Sequence, residues 1–207
     1  MTLRGFAGVL CVVAVCFPSL AWGSLMHEDP LAMSAWRGTE TFYSTDGSYE
    51  LNVEVDYAVY APGTYPGADP SGGTDYVYAY EARNLIDSAS AEVSVLTVGL
   101  APKNGARNIV ADSSSGAPGT PGGVVPGSTR IGSTSARWYF TSDPIVYGED
   151  SAALVFTSPH GPRWMTGSVA DGGLSDAGPV PSPTPEPNTL ALAVLGGLGL
   201  VARRLRR

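Results

Sequence analysis

The sequence has little cysteine and little charge, and each shortage excludes a class of protein. Only two of its 207 residues are cysteine, and both Cys11 and Cys16 lie in the first apolar run. If that run is removed on export, neither a disulfide framework nor a cysteine-based metal site remains. Charged residues are 15% of the chain, too few for a coiled coil, and 43% hydrophobic residues are too many for a wholly disordered chain. We therefore expect one packed domain.

Motifs for catalysis are also missing. His27 and His160 are the two histidines, His160 lies in a Ser-Pro-His-Gly-Pro turn, and the G-x-S-x-G elbow of serine hydrolases is absent. Glu50, Glu54 and Asp56 alternate along one predicted strand, a pattern typical of a solvated strand face rather than of a facing glycosidase pair. We predict no catalytic residue, no cofactor and no enzyme activity, with an envelope hydrolase as the least favoured alternative.

Acidic turn residues are the remaining candidates for a metal site. Carboxylates cluster near Asp143, Glu149 and Asp150, and again at Asp171 and Asp176. Loop carboxylates are the hard oxygen ligands that calcium prefers, but EF-hand spacing is absent. We predict no metal site.

The first 23 residues predict a secretory signal peptide. Arg4 precedes an apolar run that ends near Pro18, and the small residues Ala21 and Gly23 follow. We expect cleavage after Gly23, with cleavage after Ala21 as the alternative. An uncleaved anchor is disfavoured because the run is short and interrupted by glycine and proline.

The other end of the chain combines a proline-rich segment, an apolar segment and a basic terminus. Prolines at every second position predict an extended spacer over residues 179–187. A transmembrane helix is predicted over residues 188–202, although its thirteen consecutive apolar residues would span only about 20 Å of a roughly 30 Å hydrocarbon core. The last five residues hold Arg203, Arg204, Arg206 and Arg207. This cluster at 203–207 predicts a cytoplasmic terminus by the positive-inside rule.

Together, Pro185-Glu186-Pro187, the apolar helix and the arginine cluster resemble the PEP-CTERM sorting signal of Gram-negative bacteria that make extracellular polymer. The resemblance covers about residues 183–207. It implies that the tripeptide and the four arginines form a sorting signal, and that exosortase, a membrane cysteine peptidase, detaches the ectodomain. It also implies transient anchoring in the inner membrane through the C-terminal helix, before a final location in the cell envelope or extracellular matrix. The alternative is an ordinary C-terminal anchor that stays in place.

Residues 24–178 predict a single all-β ectodomain. From Ser48 to Tyr60, apolar and polar residues alternate with a period of two, which is typical of a strand. Further strands are predicted at 76–83, 92–100, 136–141, 151–158 and 163–169. Short strands between Gly/Pro turns indicate an antiparallel β-sandwich, either immunoglobulin-like or jelly-roll. Residues 113–135, of which eighteen are Ser, Thr, Gly or Pro, are expected to form a flexible loop.

The ectodomain without its two ends is acidic and carries one row of aromatic residues. Between Ser24 and Thr184 the chain has seven basic and eighteen acidic residues, which gives a net charge of −11. We therefore expect no nucleic-acid partner. Tyr76, Tyr78 and Tyr80 share one face of a predicted strand. Exposed rings of this kind, together with Trp36, Trp138 or Trp164, could stack on the sugars of an exopolysaccharide, whereas buried rings would only pack the core.

These features predict an exported, non-catalytic protein of the cell envelope or extracellular matrix. The main alternative is a carbohydrate-binding module for exopolysaccharide. Solvent exposure of the tyrosine row separates the two.

Overall fold

The computed structural model describes residues 26–85 and 91–185. The predicted signal peptide (1–23), the predicted transmembrane helix (188–202) and the arginine cluster (203–207) lie outside the described residues. None of the helices among the described residues has the length and hydrophobicity to cross a membrane.

Ten strands and two short 3₁₀ helices, Met26–Glu28 and Ser34–Trp36, make up the fold. The strands are β1 Arg37–Thr45, β2 Glu50–Tyr60, β3 Tyr76–Asn84, β4 Val95–Gly99, β5 Arg107–Asp112, β6 Ser128–Ile131, β7 Ser135–Tyr139, β8 Ala153–Ser158, β9 Pro162–Ala170 and β10 Ser175–Pro183. They form two five-stranded sheets, ordered β1-β2-β3-β8-β5 and β10-β9-β4-β7-β6, and every pairing within them is antiparallel. The prediction of an all-β, antiparallel fold is therefore confirmed.

The six predicted strands correspond to β2, β3, β4, β7, β8 and β9, but β1, β5, β6 and β10 were not predicted. All four are edge strands of the two sheets. Edge strands have one partner and fewer buried side chains, so alternating hydrophobicity is weak in them. Strand β6 also corrects the expectation that residues 113–135 form a loop, because Ser128–Ile131 pairs with β7.

The two sheets pack face to face around one apolar core. Tyr80 and Phe156 of the first sheet meet Trp138 of the second, with ring centroids 5.9 and 6.2 Å apart. The opposite face of the first sheet is also covered, because Met26, Ala32 and Tyr65 pack on it. Strand β3 is therefore buried on both faces.

The direction of the strands defines two ends of the molecule. Strand β10 runs from the β9–β10 turn to Pro183, two residues before the Pro185-Glu186-Pro187 tripeptide. We call the end where β10 finishes the signal end; it also holds the β2–β3, β4–β5, β6–β7 and β8–β9 connections. The opposite end, called the far end, holds the β1–β2, β3–β4, β5–β6, β7–β8 and β9–β10 connections.

Candidate functional site

The last strand carries the chain directly into the sorting motif. Strand β10 pairs with β9 from Ser175 to Pro183, and the Thr184 N–H then donates to the Gly161 carbonyl at 2.9 Å. Val180 is 1% exposed. The Ser182 hydroxyl donates to the Gly99 carbonyl at 2.7 Å. Hydrogen bonds to the fold therefore extend to the residue before Pro185. Glu186 and Pro187 lie outside the described residues.

This arrangement corrects the expected spacer over residues 179–187, because its first five residues belong to β10. Proline lacks an N–H donor, but alternate residues of an antiparallel strand direct their N–H groups away from the partner. Prolines at 179, 181 and 183 can therefore leave the bonds to β9 intact. They also leave the outer side of this edge strand without donors at those positions, which discourages pairing with another chain.

The tyrosine row does not form an exposed platform, which corrects its assignment as a glycan-binding site. Tyr78 and Tyr80 are fully buried, and Tyr76 is partly buried against the core. The Tyr78 hydroxyl donates to the His160 carbonyl at 2.7 Å and the Tyr80 hydroxyl to the Pro181 carbonyl at 2.5 Å. Burial raises the pKa of both phenols. These rings face the other sheet, so a sugar cannot stack on them.

The tryptophans expected beside the tyrosine row differ in their exposure to solvent. Trp138 is fully buried and its indole N–H donates to the Val110 carbonyl at 3.1 Å. Trp164 is 46% exposed. Its ring lies 5.1 Å from the half-buried Trp36 ring and 5.7 Å, edge to face, from Tyr57. Burial, and then the charge of Glu40, raise the pKa of Tyr57. We call Trp36, Tyr57 and Trp164 the tryptophan cluster, and within it Trp164 is exposed.

Both histidines make hydrogen bonds with polar side chains. His27 Nδ1 is 2.7 Å from Asp56 Oδ2, and the Thr39 hydroxyl donates to the other oxygen of Asp56 at 2.5 Å. The carboxylate therefore lies between the imidazole and the hydroxyl, whereas a catalytic triad needs the imidazole in the middle. The backbone N–H of His160 donates to the Ser158 hydroxyl at 3.1 Å.

The acidic residues are buried or engaged more often than the sequence indicated. Asp56, expected on a solvated face with Glu50 and Glu54, is only 3% exposed because the N-terminal segment covers it. Glu81, its cross-strand partner, is 1% exposed. One Glu81 oxygen accepts the Thr120 N–H at 2.5 Å, and the other has no hydrogen-bond partner among the described residues. Burial raises the pKa of Glu81. Sequence reasoning missed this group because the β5–β6 connection that covers it is distant in the chain.

Four of the five carboxylates considered for calcium accept hydrogen bonds from the protein itself. Asp150 accepts from Arg83 at 2.6 Å and from Thr120 at 2.7 Å. Asp171 accepts the Gly173 N–H at 2.6 Å, and Asp176 accepts the Tyr43 N–H at 2.8 Å. Within residues 26–85 and 91–185, no three His, Cys, Asp or Glu side chains are grouped so that they could hold a metal ion.

Comparison with known proteins identifies a family motif in the C-terminal segment. Residues 183–207 match the family of the PEP-CTERM protein-sorting motif. No curated protein and no solved structure matches the chain. The matched segment begins at Pro183, the last residue of β10. The chain therefore carries a PEP-CTERM sorting motif, which begins at the last residue of its last strand.

Proposed function

We propose that the protein is an exported, non-catalytic component of the cell envelope or extracellular matrix, released from a transient membrane anchor by exosortase. The observation that carries the proposal is the sorting motif at residues 183–207. This motif indicates export, transient anchoring and processing. A folded domain that ends where the motif begins is suited to being detached as a unit.

The position of β10 limits where exosortase can cut without damaging the ectodomain. A cut upstream of Val180 would remove a core residue, and a cut before Ser182 would remove the hydrogen bond to Gly99. Among the described residues, Thr184 is the last with hydrogen bonds to the fold, through its N–H and its hydroxyl to Gly161. We expect cleavage after Thr184.

Surface geometry supports a non-catalytic role. A cavity of about 340 Å³ lies between the β5–β6 connection and Pro30–Leu31. Its two carboxylates, Asp29 and Asp112, accept hydrogen bonds from the Tyr60 and Tyr65 hydroxyls at 2.8 and 2.9 Å. Acids that accept hydrogen bonds in this way hold the covering loops in place, which suits a structural role.

For the fold, we propose an immunoglobulin-like β-sandwich with additional strands. The order β2-β3-β8-β5 corresponds to strands A-B-E-D of an immunoglobulin domain, and β10-β9-β4 corresponds to G-F-C. Strand β1 extends the first sheet, and the β6–β7 hairpin extends the second. This hairpin comes after the D-like strand β5, whereas variable domains insert their extra strands before D.

The experiment that tests the main proposal is intact-mass analysis of the protein recovered from the envelope and the medium. Processing predicts a C-terminus between Thr184 and the apolar segment. Replacing Pro185, Glu186 and Pro187 by alanine should leave the full-length protein in the membrane fraction, while the same triple change keeps β10 intact. Recovery of released wild-type protein that still ends at Arg207 would exclude processing.

Carbohydrate binding remains a second proposed function, supported by the tryptophan cluster. The exposed ring of Trp164 lies against Trp36, with Glu40 close enough to influence Tyr57. Aromatic faces beside hydrogen-bonding acids can hold sugars. Trp164→Ala should abolish retention on exopolysaccharide, with Tyr147→Ala as a control because Tyr147 is 56% exposed and outside the cluster. Equal retention of both variants would contradict a role for this cluster.

A further inference from the structure

The outer face of the second sheet differs in charge from the rest of the ectodomain. Leu96, Trp138 and Val169 point into the core, so the residues that alternate with them face outward. Residues paired in register share a face, which extends this assignment across all five strands. No outward position on β4, β6, β7, β9 or β10 holds Asp or Glu. In a domain with net charge −11, the strand positions of this face therefore carry no carboxylate.

Two arginines lie directly opposite each other on this face. Arg130 of β6 pairs in register with Arg137 of β7, and both are exposed. Like charges at directly opposed positions destabilise an antiparallel pair. The ion pairs found within the described residues involve His27, Arg83 and Arg107, so neither arginine of this pair is neutralised there. The fold thus places at directly opposed positions two arginines that form no ion pair within the described part of the chain.

A cavity of about 270 Å³ lies beside this pair. Both arginines line it together with the β6–β7 turn, which contributes the hydroxyl residues Ser133, Thr134 and Ser135. Tyr139 lies two residues beyond Arg137 and therefore faces the same side of β7. The cavity lining contains no carboxylate. Guanidinium forks, hydroxyls and an aromatic ring are thereby placed together on a broad sheet surface.

We propose that Arg130, Arg137 and the β6–β7 turn form a binding site for the carboxylate groups of an acidic polysaccharide. The planar guanidinium matches a carboxylate through two parallel hydrogen bonds. The turn hydroxyls and Tyr139 suit the hydroxyls and ring faces of neighbouring sugars. The acidic remainder of the domain repels a polyanion, so such a polymer would approach through this face. The site rests on neither the sorting signal nor the tryptophan cluster.

The test measures binding of oligogalacturonate to the full chain in neutral detergent. In every sample Arg203, Arg204, Arg206 and Arg207 are replaced by glutamine, so that the terminal cluster contributes no attraction. Fully methyl-esterified oligogalacturonate is the matched ligand control, because it keeps the sugar backbone but has no charged carboxylates. Isothermal titration calorimetry should show binding of the free acid that weakens with salt, and at least about tenfold weaker binding of the ester.

Substitutions test whether the arginine pair is responsible for the binding. Arg130→Gln and Arg137→Gln should each weaken binding about tenfold, while Arg163→Gln, at an exposed arginine of β9 outside the cavity, should leave it unchanged. Arg130→Lys keeps the charge but not the fork and should lie between wild type and Arg130→Gln. The glutamine variants should melt at the same or a higher temperature, because they relieve repulsion between like charges.

Several results would overturn the proposal. Equal binding of the acid and its methyl ester would show that carboxylates are not recognised. An equal loss in Arg163→Gln would show general charge attraction rather than a site. Binding of dextran sulfate but not oligogalacturonate would assign the pair to sulfate groups instead. If binding is lost only in variants that melt at a lower temperature, the arginines serve the fold and not a ligand.

Discussion

Ending the chain after Gly178, where the sequence indicates that the spacer begins, should destabilise the ectodomain far more than ending it after Thr184. The shorter chain loses the second half of β10, including Val180, which is 1% exposed. It also loses the Pro181 carbonyl that accepts from Tyr80, and the Ser182 hydroxyl that donates to Gly99. The Tyr80 hydroxyl would then remain buried without an acceptor.

The size of the effect follows from these contacts. Burial of one valine side chain contributes about 2 kcal/mol. Leaving the Tyr80 hydroxyl unsatisfied costs about 1 to 3 kcal/mol, and losing the Ser182 hydrogen bond costs about 1 kcal/mol. Together these losses reach roughly 5 kcal/mol, a large part of the 5 to 15 kcal/mol that stabilises a typical domain. For a domain of this size the melting temperature should fall by about 10 to 20 °C.

The assay compares thermal and urea unfolding of two exported chains that end at Gly178 and at Thr184. A third chain that ends at Pro185 is the control, and it should match the chain ending at Thr184 because Pro185 adds no core contact. Near-identical melting of all three chains would refute the reasoning, since it would mean that residues 179–184 do not belong to the cooperative fold.

Three further substitutions test individual contacts. Glu81→Gln should raise the melting temperature at pH 7. Burial raises the pKa of Glu81 above its ordinary value of 4.5, so the folded chain holds the proton more tightly than the unfolded chain does. The stability of the wild type therefore falls as the pH rises from about 4.5 through the pKa of Glu81 in the folded chain. Melting curves between pH 4 and 8 should show a smaller fall in the variant. Gly119→Ala should destabilise more than Gly122→Ala in urea unfolding. Both glycines have positive φ, at 92° and 82°, but only at Gly119 would a Cβ meet the Glu81 carboxyl, at 2.8 Å. Equal losses of unfolding free energy in the two variants would show that backbone strain alone is responsible. Tyr80→Phe should cost about 1 to 2 kcal/mol, whereas Tyr43→Phe, at a 51% exposed ring, should be neutral.

The sequence predicted those strands that have one strongly apolar face. Strand β2 is the best case, because Leu51, Val53, Val55 and Val59 all point into the core, as their alternation indicates. Strands β1 and β10 were missed because each is an edge strand whose side chains are largely polar, glycine or proline. For β10 the alternating prolines resemble a spacer, and only the pairing with β9 shows that the missing donors fall at positions that the ladder does not use.

The tyrosine row shows a different limit of sequence reasoning. A period of two establishes that Tyr78 and Tyr80 share a face, but it does not establish which face is exposed. In β3 both faces are buried, since Val77, Ala79 and Glu81 on the opposite side lie under the N-terminal segment and the long connections. That covering comes from residues far apart in the chain. The sorting signal was predictable for the opposite reason, because its elements are contiguous and need no tertiary context.

The fold also determines what the net charge would mean if, as proposed, the chain is transiently anchored at its signal end. A uniformly acidic domain would be repelled by anionic lipid headgroups. The acids are not uniform, however, because the far-end connections hold Asp46, Glu92, Asp143, Glu149, Asp150 and Asp171. Strand β10, with nine residues, separates the two ends by about 30 Å, several times the roughly 8 Å screening length at physiological salt. Charge at the far end would therefore add little repulsion at the membrane of a chain anchored in this way.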